Sequence, residues 1–163
     1  MDVREELLEL LIEDARYDVD DLAKMTGQTA SEIESTIAAL EEEGVIQGYQ
    51  AVIDWDRASV DRARAAVELN VTLDRETGYD DIARRIAGFP EVDTLRLVSG
   101  DFDFLLEVEA DSIRELSRFV SERIAPIPEI TQTVTHFIME TYKDRGIEML
   151  DGHDEDERLS VSP

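Results

Sequence analysis

The hydrophobic residues of this chain change their spacing once, in the sixties, and that change constrains the fold more than any other feature. Upstream of it the period is helical. Val3, Leu7, Leu8 and Leu11 make one apolar stripe, with Arg4, Glu5, Glu6 and Glu9 interleaved. Such a stripe buries one face and leaves the other in water. The spacing predicts that this helix ends near Asp14 and Ala15. Asp18 is placed to cap a second, short helix with Leu22, Ala23 and Met25 inward, and Gly27 to close it. Thr29 and Glu32 stand three apart as a capping box, in which each side chain satisfies a backbone N–H that the helix start leaves orphaned. The third helix then buries Ile33, Ile37 and Leu40 and stops at Gly44. Val45 to Ile53 alternates loosely around Gly48 and predicts a short strand or wing.

Downstream the period is two. Val67, Leu69, Val71 and Leu73 alternate with Glu68, Asn70 and Thr72, the pattern of a half-buried strand. Tyr79, Ile82, Ala83 and Ile86 predict a helix, stopped by Gly88 and Pro90. Val92–Val98 and Phe102–Val108 predict a hairpin around Ser99, Gly100 and Asp101. Ser112 and Glu115 form a second capping box, opening a helix with Ile113, Leu116, Phe119 and Val120 inward. Pro126 and Pro128 end it, and Ile130–Tyr142 predicts the last strand. The fold class expected is therefore α+β: an N-terminal (winged) helix-turn-helix, then a C-terminal ferredoxin-like βαββαβ sandwich with both helices on one sheet face. The other face would lie bare in a monomer, so a homodimer is expected. The expected division is 1–49 helix-turn-helix, 50–63 connector, 64–145 ferredoxin-like domain and 146–163 acidic tail.

Charge is the unusual part of the composition. Forty acids face sixteen bases, the net charge is −24, and Lys24 and Lys143 are the only lysines. One reading is a chain that avoids or mimics nucleic acid. The other is adaptation to a cytoplasm of very high salt. Acids spread along the whole chain favour the second, and self-repulsion matters little where the Debye length is about 3 Å, as at 1 M salt. The chain has no cysteine, which excludes disulfides and Cys-ligated metal. No apolar run reaches the roughly 18 residues that span a bilayer. The acidic start is unlike a signal peptide, so a cytoplasmic protein without membrane contact is expected.

The local motifs resemble the leucine-responsive/asparagine regulator (Lrp/AsnC) family of bacteria and archaea. Asp21-Leu22-Ala23-Lys24-Met25-Thr26-Gly27 and Leu40-Glu41-Glu42-Glu43-Gly44-Val45-Ile46-Gln47-Gly48-Tyr49 resemble that family's helix-turn-helix and its exit. Phe89-Pro90-Glu91-Val92 resembles the end of its first sensor helix. Leu97-Val98-Ser99-Gly100-Asp101-Phe102-Asp103-Phe104-Leu105-Leu106-Glu107-Val108 resembles its most distinctive stretch. The resemblance covers roughly residues 2–147 and implies a cytoplasmic transcriptional regulator. Its partners would be double-stranded DNA, an amino acid or related small effector, and copies of itself, as a homodimer or an octamer. It implies no cofactor and no metal.

One departure concerns the recognition helix. From Thr29 to Glu43 there are five glutamates and no base, and Met1 to Tyr49 holds fourteen acids against Arg4, Arg16 and Lys24. DNA binders ordinarily present a basic face. A protein making roughly 6–10 phosphate contacts loses about 10³–10⁵ in affinity between about 50 and 200 mM salt, so in molar salt a basic face contributes little and its absence costs little. Base recognition would then rest on neutral groups. Gln28, Thr29, Ser31, Ser35 and Thr36 are the candidates, with Gln28 placed for a bidentate contact to adenine. As plain structure, Gln28 is a turn residue and Ser31 an exposed first-turn residue.

For the effector, the resemblance points to the turn Ser99, Gly100, Asp101 and Asp103, and to Thr133 and Thr135 on the last strand. The carboxylates would meet an ammonium group, and the turn's N–H groups a carboxylate. As plain structure the turn is a hairpin in which Gly supplies positive φ. His136 is read as a structural group, and Trp55 as an interdomain or dimer anchor. Two alternatives remain open. One is a ligand-sensing member that no longer binds DNA and acts through other regulators. The other is an enzyme like the sirohaem decarboxylases, which share this two-part architecture; the scarcity of histidine and the intact Ser99–Asp103 stretch argue against it.

Overall fold

The computed structural model describes residues 2–150; the expected tail from Asp151 onward, with His153, lies outside the described residues. The chain divides into two compact units that meet at Ala51 and Val52. The N-terminal unit holds α1 (Val3–Glu13), α2 (Val19–Thr26) and α3 (Ala30–Glu42). Each starts on a side-chain cap, Asp2, Asp18 and Thr29 respectively. Leu7, Leu22, Ile33 and Leu40 bury against one another, with Ile37, Ile46 and Val19 packed around them. Gly27 sits at φ +69°, the left-handed conformation that lets the chain leave α2 and enter α3 within three residues. Met25 is exposed, not inward. Thr26, four residues after Leu22, takes the inward position and donates its hydroxyl to the Leu22 carbonyl at 2.8 Å.

The strand expected over Val45–Ile53 does not form. Val45 and Ile46 both donate to the Leu40 carbonyl and close the end of α3. A ladder needs a second strand, and the described part of this unit is otherwise helical.

The C-terminal unit opens with a short helix, α4 (Trp55–Ala58). There follow β1 (Ala63–Val71), α5 (Tyr79–Ala87), β2 (Val92–Leu97), β3 (Phe104–Ala110), α6 (Ile113–Phe119) and β4 (Ile130–Phe137). This is the expected βαββαβ order. The sheet runs β2-β3-β1-β4, every pair antiparallel. Ala63, Ala65, Val67 and Leu69 of β1 are buried while Arg64, Ala66, Glu68 and Asn70 between them are only half-buried. The core lies on the first face. It joins that row to Phe104, Leu106 and Val108 of β3, Ile82 and Ile86 of α5, and Leu116 and Phe119 of α6. The second face, with Leu105, Ala66 and Val134 flanked by Glu68 and His136, is covered by no helix among the described residues of this unit.

Other differences from the sequence reading have local causes. Ile113 is exposed; it stands three residues past the end of β3, in the first turn of α6. Helix α6 passes into a π-helical turn over Val120–Ile124 before the prolines. Strand β4 ends at Phe137, five residues before Tyr142. The Ile138 N–H still reaches the Arg64 carbonyl at 2.9 Å, but β1 begins at Ala63, so further pairing has no partner. The chain then makes a small hairpin, β5 (Lys143–Asp144) with β6 (Ile147–Glu148), across Arg145 and Gly146, both at positive φ. This hairpin crosses the boundary drawn at residue 146.

Candidate functional site

The recognition-helix candidates fall into two groups. Thr29 and Thr36 are committed to the helix itself. The Thr29 hydroxyl donates to Glu32 Oε2 at 2.7 Å and accepts the Glu32 N–H at 3.3 Å, and the Thr29 N–H donates to the same carboxylate at 2.8 Å. Those bonds, the backbone one first, hold the Glu32 carboxyl below its usual range. The Thr36 hydroxyl donates to the Glu32 carbonyl at 2.7 Å. Gln28 is half-buried and Ser31 and Ser35 are exposed; their side chains make no hydrogen bond among the described residues. They are the neutral groups of this helix left to face a partner. Glu34, Glu41 and Glu42 are exposed on the same helix. Arg4, from α1, pairs with Glu43 across the end of α3, so that one cation is already neutralised.

The β2–β3 turn is built differently from its sequence reading. Gly100 has φ +126° with open space where a Cβ would point; the demand for glycine is conformational, not steric. Ser99, Gly100 and Asp101 are exposed, but Asp103 turns inward. Its Oδ2 accepts the Val71 N–H at 2.9 Å, its Oδ1 accepts the Tyr79 hydroxyl at 3.4 Å, and its own N–H donates to the Leu69 carbonyl at 2.9 Å. Asp103 thus clamps the turn onto the end of β1. Asn70 completes the clamp by donating Nδ2 to the Asp101 carbonyl at 2.9 Å. Of the two acids of the turn, only Asp101 presents a carboxylate with no hydrogen bond among the described residues. Thr133 and Thr135 are half-buried on β4, opposite Leu69 and Val67. They lie on the helix-bearing face, two strand spacings or about 10 Å from β3.

Asn70 and Tyr79 were not legible as turn supports, because β1 offers Asn70 only as one more outward polar residue. Outside this site, His136 Nε2 lies 2.8 Å from Glu68 Oε2 on the uncovered sheet face. Trp55 is half-buried beneath the Arg62 guanidinium, 4.5 Å from the ring centroid.

Two family models account for most of the chain. Residues 2–47 match a winged helix-turn-helix DNA-binding domain, and residues 64–147 match the Lrp/AsnC ligand-binding domain. The chain belongs to the Lrp/AsnC family. An HTH-type transcriptional regulator of Bacillus subtilis, YugG, is 36% identical over 159 residues, covering 97% of this chain and 95% of that protein. The proline dehydrogenase transcriptional activator of Rhizobium radiobacter is 30% identical over 141 residues, 86% of this chain and 90% of its own length. Among solved structures, the leucine response regulatory protein LrpA of Mycobacterium tuberculosis superposes with a TM-score of 0.74 at 26% identity, over 91% of this chain and 98% of that one. The architecture is that of these regulators: a DNA-binding module followed by a module that takes a small-molecule effector. No helix of the described residues is long and apolar enough to cross a membrane.

Proposed function

We propose that this chain is a cytoplasmic, DNA-binding transcriptional regulator whose occupancy of DNA responds to an amino acid or related metabolite, and that it works as a homodimer or a higher assembly of dimers. The observation that carries the reading is the pairing, in one chain, of a match to a DNA-binding module at 2–47 with a match to a ligand-binding module at 64–147. Gln28, Ser31 and Ser35 read the bases, with Thr29 and Thr36 shaping the helix that presents them. The exposed Ser99–Asp101 turn, held by Asp103, receives the effector near the strand that carries Thr133 and Thr135. The uncovered face of the sheet supports self-association, because Leu105, Ala66 and Val134 gain cover there from a second copy. Effector and DNA are then linked through a shift between assembly states.

A gel shift in molar KCl tests the DNA arm. Binding there, with log K falling only weakly against log salt, is the expected outcome, because phosphate contacts set that slope and α3 offers no base. A slope as steep as about −6 would show an interface rich in phosphate contacts. Gln28→Ala is expected to relax preference at one base pair per half-site at a cost of about 1–3 kcal/mol; equal weakening on all sequences would show that Gln28 does not read a base. The second reading, a sensor that has lost DNA binding, is favoured by the exposed acids Glu34, Glu41 and Glu42, and absence of a shift at any salt concentration selects it.

The proposal includes a halophilic, archaeal type of regulator. The net charge of −24 with only two lysines supports it. Salt is then expected to raise the melting temperature between about 0.1 and 3 M KCl, by screening self-repulsion. An equal or lower value at the higher salt counts against it.

A further inference from the structure

The sheet face that no helix covers is not purely apolar. The strand pairing puts Glu68 of β1, Glu107 of β3, Arg96 of β2 and His136 of β4 on it, around Leu105 and Val134. His136 Nε2 and Glu68 Oε2 stand 2.8 Å apart. An ionised carboxylate only accepts hydrogen bonds, so Nε2 carries a proton whether or not the ring is charged, and the charge turns on Nδ1. Few other charges face this ring. Strand β4 has no other titratable side chain. On β1, Arg64 donates Nη2 to Thr141 Oγ1 at 2.6 Å. On β3, Glu109 is paired with Arg62, and Glu107 stands in the row of His136 and Ala66, two strand spacings or about 10 Å away. Arg96 lies on β2, one strand further still. The helices are on the opposite face.

In a single copy this pair is wet, the His136 side chain 59% exposed and that of Glu68 26%. An exposed ion pair contributes little, so the charge on the ring matters little to the fold of one chain. A second copy laid over the face changes that. Packed sheets stand about 10 Å apart, and the Glu68 carboxylate loses water. Covering a carboxylate beside a neutral ring is costly, and covering it beside an imidazolium is less so. The face also suits a second copy by its charges. Arg96 and Glu107 are exposed and have no ionic partner among the described residues, and a two-fold brings the same patch against itself. We propose that His136 makes the self-association of this chain pH-sensitive: covering the face draws a proton onto His136 in each copy, so the dimer is favoured in acid and released as pH rises. This rests on the homodimer reading given above. The sign follows from linkage. The dimer holds more protons than two separate copies, so its advantage is complete below the range in which imidazole titrates, about pH 5–8, and is lost as pH rises through it.

Sedimentation equilibrium of the full chain in about 1 M KCl, at about pH 6, 7 and 8, tests it. That salt screens the general repulsion between acidic chains, while a covered pair is screened much less. The dimer Kd is expected to rise by about tenfold or more from the lowest pH to the highest, because each copy gives up a proton on dissociating. If the dimer is too tight to dissociate on dilution, exchange of labelled subunits reads the same change as a rate, faster at the higher pH. His136→Gln keeps an amide N–H for Glu68 and cannot take a charge; its Kd is expected to stay flat with pH. Carboxylates are ionised throughout this range, and the chain's other histidine, His153, remains in the variant, so a flat profile assigns the effect to His136. Glu68→Gln removes the charge that the imidazolium answers, and is expected to tighten the dimer at about pH 8 and to lose most of the pH dependence. A wild type that dimerises with one Kd at every pH, or pH dependence retained in His136→Gln, would overturn the proposal and leave the dimer standing. A wild type that stays monomeric at every pH would overturn the homodimer reading and the proposal with it.

Discussion

Phe104→Ala is expected to destabilise the C-terminal unit by about 3–5 kcal/mol, the range for removing a buried aromatic ring. The ring is 1% exposed and sits directly after the β2–β3 turn. It meets Tyr79 edge to face with 5.9 Å between centroids. Tyr79 in turn donates to Asp103, so one substitution empties the core and loosens the clamp that aims the turn. Asp103→Ala is the milder companion. It leaves the Val71 N–H without its acceptor, at a cost of about 1–3 kcal/mol. A urea melt followed by the fluorescence of Trp55, the chain's single tryptophan, reads the C-terminal unit directly. Midpoints within about 0.5 kcal/mol of wild type, the size of an ordinary surface change, would show that the turn is not anchored on this core.

The contrast between Asp103 and Asp101 shows where the sequence stopped being readable. Alternation from Val67 to Leu73 and the helical spacing of Ile82 and Ile86 carried the strand and helix order, because those patterns are properties of neighbouring residues. The capping pair Thr29 and Glu32 was equally local and forms as expected. The fate of Asp103 was not local. In sequence it is one of two acids around a glycine, and nothing distinguishes it from Asp101. Antiparallel pairing of β3 with β1 opposes Phe104 to Leu69, which places Asp103 beside the end of β1 and turns its carboxylate into an acceptor for Val71. The same holds for the end of β4. The run Ile130–Tyr142 looks continuous, yet its length is set by where β1 begins. Glu91 is a further case: the sequence marked it only as part of Phe89-Pro90-Glu91-Val92, and only the fold shows that its Oε2 has no hydrogen-bond partner among the described residues.

Asp101→Ala is expected to separate sensing from folding. Asp101 is exposed, stands in a turn whose geometry is held by Gly100, Asn70 and Asp103, and makes no side-chain hydrogen bond among the described residues. Removing its carboxylate should change stability without ligand by no more than about 0.5 kcal/mol. If the turn receives an effector's ammonium group, the same substitution removes a charge-assisted hydrogen bond. That loss is about 1.5–3 kcal/mol, or roughly tenfold or more in affinity. A ligand that binds only the folded protein stabilises it in proportion to the logarithm of one plus the ratio of ligand concentration to Kd, and so raises its melting temperature. The upward shift produced by the effector should therefore shrink in Asp101→Ala while the unliganded curve stays in place. Asp103→Ala should do the reverse first, lowering the unliganded curve. A thermal-shift screen of both variants and the wild type against the amino acids, in high salt, distinguishes these outcomes. A wild type that responds to no amino acid removes the amino-acid reading. A wild type that responds and an Asp101→Ala variant that responds equally moves the contact off Asp101, leaving the N–H groups of the turn and the hydroxyls of Thr133 and Thr135 as the groups to vary next.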